Sequence, residues 1–127
     1  MKTLLMTVLI TLSVIALVRA QASEQLKNST PEQRAQKMTD WMKINLPLTD
    51  DQATSVHAIN LKYANENESL KEGASGRREK YKKFKDTQAA KDQELKGALT
   101  AEQFSAYLSK KKELQQKMRE EVQEKKN

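Results

Sequence analysis

Two matching five-residue phrases constrain this chain more than any other feature: Leu48-Thr49-Asp50-Asp51-Gln52 and Leu99-Thr100-Ala101-Glu102-Gln103, 51 positions apart. Each offers a threonine hydroxyl to an unpaired N–H of a first helical turn. Three residues on, a glutamine reaches back to the threonine N–H, which completes a capping box. Asp50, Asp51 and Glu102 complement the positive end of a helix dipole. One Thr-x-x-Gln cap occurs in many unrelated helices, whereas two copies led by leucine form a pattern. Tyr63 and Leu114 also stand at equal offsets from the two threonines. The phrases predict helix starts near residues 50 and 101.

Proline and glycine set the other boundaries. Thr30-Pro31-Glu32-Gln33 reads as a further helix start, with Pro31 at the first helical position. Pro47 disfavours helix at Leu46, so this helix ends near Asn45. Glu72-Gly73-Ala74-Ser75-Gly76 breaks the second helix. A third is expected from about Arg77 to Lys96, with Gly97 either ending or loosening it. The fourth runs from Thr100 to about Val122, Leu99 being placed to staple onto Phe104, and the tail 123–127 frays. The intervening stretches are rich in Lys, Glu, Gln and Ala, good helix formers, and no segment alternates apolar and polar residues as a strand would. The fold class is all-α, four helices over residues 30–122. Their apolar stripes are Ala35, Met38, Trp41 and Met42; Val56, Ile59, Tyr63 and Leu70; Tyr81, Phe84 and Leu95; and Phe104, Tyr107, Leu114, Met118 and Val122.

Ahead of this domain, Lys2 precedes an apolar run from Leu4 to Val18, and Ala20-Gln21-Ala22 has the small-x-small form of a cleavage site. This is the pattern of a secretory signal peptide over residues 1–22. The alternative, a membrane anchor, calls for about 20 apolar residues, and the run has roughly 15. Export places the rest outside the cytoplasm, in the periplasm, with no integral membrane segment after cleavage. Residues 23–29 are polar, lack apolar anchors and are expected to be disordered. The chain carries a net charge of +6 and no cysteine. The cysteine count excludes disulfides and thiol chemistry. The basic excess points to acidic proteins or an anionic membrane surface; nucleic acid is not an expected partner of an exported chain.

At this point the chain resembles the Spy/CpxP family of periplasmic chaperones, whose hallmark is a repeated Leu-Thr-x-x-Gln motif. The matching residues here are Leu48, Thr49 and Gln52, then Leu99, Thr100 and Gln103. The resemblance implies a thin four-helix protomer with a long bent helical hairpin, paired into an antiparallel homodimer. It also implies an ATP-independent holdase that binds unfolded or partly folded envelope proteins and suppresses their aggregation. Related members act instead as adaptors of an envelope-stress sensor or as metal-responsive proteins. Ser69–Gly76 and Gly97 depart from the family's pattern.

The residues offer a surface for such binding. At about 100° per residue, Arg77, Arg78, Tyr81, Phe84 and Lys85 fall within one arc of roughly 120° on the third helix, three cations with two rings. Arg34, Met38 and Met42, with Trp41, share a face of the first helix and are adjoining candidates. The alternative reading makes Tyr81, Phe84, Met38 and Met42 core residues and the cations a solvated face. Leu48, Thr49, Gln52, Leu99, Thr100 and Gln103 are assigned to structure. No catalytic residue, metal ligand or cofactor is expected. His57 is the only histidine and has no second His or Cys to join it. Asp50 and Asp51 suit a helix start, and no phosphate loop or nucleophile elbow occurs.

Overall fold

In a computed structural model the described residues are 28–127, and the signal peptide expected over 1–22 lies outside them, as do residues 23–27. Ser29 is buried. Four helices follow: α1 (Pro31–Asn45), α2 (Asp50–Glu72), α3 (Arg77–Ala98) and α4 (Ala101–Glu124). Among the described residues there is no strand, and no helix is long and apolar enough to cross a membrane. The all-α fold expected from the sequence is what the chain adopts.

The boundaries follow the chemistry of the caps. Thr49 and Thr100 both sit in extended backbone and accept from the N–H of Gln52 and Gln103, each at 3.2 Å. The return bonds, from each threonine N–H to the glutamine Oε1, measure 3.0 and 2.9 Å. Both capping boxes are complete. The break between α2 and α3 uses extended residues at Gly73 (φ −68°, ψ 153°) and Gly76 (φ −64°, ψ 161°), with no left-handed residue. Gly97 neither ends nor breaks α3, which continues to Ala98 and closes with Leu99 N–H on Leu95 O. One glycine costs a helix about 1 kcal/mol, which neighbouring turns and a buried Leu95 readily offset. α4 runs two residues beyond the expected end at Val122 and closes on Lys125 N–H to Glu121 O.

The core is small and lies where the helix ends meet. Met42, Leu46, Val56, Leu95, Leu99 and Tyr107 form it, with Met38, Trp41, Leu48, Ile59, Phe104 and Ala106 packed against it. Leu99 and Phe104, the expected staple, thus serve one cluster. The two motifs also meet in space. Gln52 Nε2 donates to Gln103 Oε1 at 2.7 Å, and Gln103 Nε2 donates to Gln52 Oε1 at 3.0 Å and to Pro47 O at 2.9 Å. The two caps are therefore clasped amide to amide, which joins the start of α4 to the start of α2.

α1 lies along α2 through a polar seam. Thr39 Oγ1 donates to Ala35 O at 2.8 Å and accepts from Asn60 Nδ2 at 3.1 Å. With its single proton so used, the hydroxyl also accepts from His57 Nδ1, 3.2 Å away. His57 is thus part of the α1–α2 joint. Arg34 donates to Glu68 near the far end of the same pair, and this bond, foremost, holds the Glu68 carboxyl below its ordinary value. α2 and α3 form the hairpin. Tyr63 OH donates to Glu94 Oε1 at 2.7 Å and Lys62 donates to the same oxygen. Those bonds, Lys62 first, hold the Glu94 carboxyl low.

Candidate functional site

α3 uses one face in two ways. In its second half that face is covered: Leu95 is fully buried, Lys91 is 7% exposed, and α4 closes over it through Tyr107 OH to Asp92 Oδ1 at 2.8 Å and Lys111 Nζ to Asp92 Oδ2 at 2.9 Å. Phe84 and Tyr81 continue the same face about two and three turns before Lys91. There α4 does not reach, and the rings are open, 44% exposed for Phe84 and 62% for Tyr81. The reading of these two rings as core is corrected by this geometry. Helical periodicity pointed them inward, but α4 is anchored to α3 only near Asp92, so the hairpin tip has no cover.

Five of the predicted contact residues come together at that tip. Arg78, Tyr81 and Lys85 line an open groove on α3 with Gly76, Glu79 and Lys82. Its walls are almost wholly carbon, supplied by the ring and by Arg and Lys stems. Lys85 Nζ stands 5.4 Å from the centroid of the Tyr81 ring, within cation–π range. On the other side of Tyr81, Phe84 lines a second groove between α3 and α2 with Asn67, Leu70, Lys71 and Lys80. Arg77 opens the same helix, fully on the surface. Asn67, Leu70, Lys71, Lys80 and Lys82 escaped the sequence reading. The signal for the α2 residues is the turn at 73–76, which pairs positions antiparallel across it.

The tip is strongly cationic. Among the described residues, Glu79 is the one anion between Arg77 and Lys85, and it pairs with Lys83 at 3.2 Å. Lys80 Nζ donates to Lys71 O at 3.2 Å, supplying a carbonyl at the end of α2. Among the described residues, Arg77, Arg78, Lys82 and Lys85 have no carboxylate partner. Arg77 and Arg78 also crowd the positive end of α3, whose Gly76 cap brings no side-chain acceptor. Cations outnumber anions at the tip, and the local charge is positive.

The α1 candidates separate from this surface. Met42 is fully buried in the core, which withdraws it from any contact face: α2 covers its side of α1, and Asn60 Nδ2 approaches its sulfur at 3.8 Å. Met38 is half-buried against the same core. Arg34 is engaged with Glu68.

A second open stripe lies on α4. Phe104 and Tyr107 pack in the core, with ring centroids 6.0 Å apart. The stripe goes on through Leu114 to Met118 (58% exposed) and Val122 (53%), where Arg119, Gln123 and Lys126 join them around a groove. At the root of this free length sits Lys91. Burial first, and Lys111 second, push its ammonium down to about 8 against a small opposing pull from Asp92. Burial and the bond to Asp92 hold the Tyr107 phenol far above its ordinary value. Among the described residues no group of three or more His, Cys, Asp or Glu side chains is placed to hold a metal ion.

The model of a domain of unknown function, DUF4890, matches residues 20–107. That is more than half of the chain, and the chain belongs to this family. The match takes in both capping phrases and the core, and it ends at Tyr107. No curated protein and no solved structure matches the chain.

Proposed function

We propose that this protein is an ATP-independent holdase of the cell envelope, of the Spy/CpxP kind, which binds unfolded or partly folded proteins and slows their aggregation. The observation that carries the reading is the tip of the α2–α3 hairpin, where two exposed rings stand among cations, four of which have no carboxylate partner among the described residues. Excess positive charge draws a client from a distance, and carbon-walled grooves offer it weak, nondirectional contact. The reading calls for no cofactor and no catalytic group. Two copies acting together also fit, since the open Leu114–Met118–Val122 stripe continues a core stripe and a second chain would cover it. Export by residues 1–22 is part of the same proposal.

The test is light scattering from a chemically denatured client diluted into buffer with the protein. Suppression at equimolar ratio, weakened by salt, is the expected result. Unchanged aggregation at several-fold excess overturns the holdase reading. A second reading, an adaptor that docks onto one envelope-stress sensor or assembly protein, draws support from the confinement of the open rings to one small tip. It predicts a single partner in a pull-down and no effect on generic clients.

A further inference from the structure

The two grooves share one wall, the Tyr81 ring, and differ in chemistry. The α2–α3 groove is apolar in Leu70, Phe84 and Tyr81. Asn67 also lines it, and its Oδ1 is buried with no hydrogen-bond partner. A buried acceptor without a donor is costly, and it repels a carboxylate while suiting an N–H. The groove on α3 is also walled by carbon, but charged ends stand around it. Arg78, Lys82 and Lys85 line it with a single anion, Glu79, which is paired with Lys83; among the described residues none of the three cations holds a carboxylate. A Cβ built on Gly76 would meet nothing within 4 Å, so its end is open.

We infer that the hairpin tip receives an extended acidic segment with one bulky apolar side chain, laid across Tyr81. The apolar side chain enters the α2–α3 groove between Leu70 and Phe84. Residues two apart point to the same side of an extended chain. A Glu or Asp two positions away therefore falls on the far side of the ring, among Arg78, Lys82 and Lys85. Basic segments are turned away by like charge. The inference rests on the reading that the tip is the contact surface, and it specifies what that surface selects.

Fluorescence anisotropy with the protein tests it, using a labelled Glu-Gly-Glu-Gly-Phe-Gly-Glu-Gly-Glu peptide and two relatives. One relative has alanine for phenylalanine and the other has lysine for every glutamate. The parent peptide is expected to bind, and added salt to weaken it. The alanine peptide loses about tenfold or more, and the lysine peptide does not bind. Phe84→Ala and Asn67→Asp each weaken the parent at least about fivefold with circular dichroism and melting unchanged. Equal binding of the lysine peptide, or indifference to both substitutions, overturns the inference. If Phe84→Ala and Asn67→Asp suppress client aggregation as well as the unaltered protein and leave peptide affinity unchanged, the selective site is wrong while holdase action stands. If peptides bind as expected and aggregation proceeds unhindered, the site stands and the holdase reading falls.

Discussion

Lys91 is held in the folded chain at a measurable cost, and replacing it tests the account of the α3–α4 contact. Its ammonium is 7% exposed and its pKa falls from 10.5 to about 8, through burial and then through Lys111. At about 1.4 kcal/mol per unit, that shift destabilises the charged native form by about 3 kcal/mol. The folded value lies below the unfolded one, so the penalty is present in full below about pH 8. It fades as pH rises from about 8 through 10.5, above which both states have lost the proton. Lys91→Met keeps the length of the stem and removes the charge. At pH 7 the variant should be more stable by about 3 kcal/mol, a gain of between about 1 and 3 M in the urea midpoint for slopes of about 1–3 kcal/mol per molar. Urea melts of both proteins at several values between pH 7 and 11 separate this linkage from simple packing. The gap should close as pH rises. A gap that stays constant, or a variant less stable at pH 7, refutes the reasoning.

Three further outcomes follow from the geometry. Gln103, with its amide bonded to Thr100 N–H, Pro47 O and Gln52, should cost about 2 kcal/mol when changed to Ala, more than Gln52→Ala; the double variant should fall short of the sum because the two share their bonds, as urea melts would show. Gly97→Ala should stabilise by up to about 1 kcal/mol, since its Cβ meets open space; a lower melting temperature would contradict the placement. Glu94 is held below its ordinary value of 4.5 by Lys62 and then Tyr63, so its contribution is present above 4.5 and lost as pH falls through the folded value; acid melts of Glu94→Gln should show a shallower decline than the unaltered chain.

Local chemistry made the helices readable and tertiary placement did not. Pro47, the glycines at 73 and 76, and Thr49 and Thr100 act within a few residues of themselves, so the chain ends its helices where they stand. Nothing local says that Gln52 and Gln103 will meet, although their identical settings hinted at a shared role. Lys91 looks like any other lysine of α3 until Leu95 and Tyr107 close around it. Tyr81 and Phe84 show the opposite failure. Their spacing relative to Leu95 is that of a core stripe, and only the course of α4 decides how far along α3 the cover extends. Met42 was readable as apolar and helical, but its burial depends on α2 lying against that side of α1. Periodicity reports which side of a helix is apolar; it cannot report where along its length a neighbour stops.

The paired glutamines carry no charge and take up no proton across the ordinary pH range. Acid, alkali or brine that would strip the ion pairs elsewhere leaves that joint as strong as before, so the bond between α4 and the hairpin should persist through changes of medium. The cations of the tip answer to added salt, which screens them. One part of the molecule is thereby indifferent to its surroundings and another is tuned by them, with no moving part between.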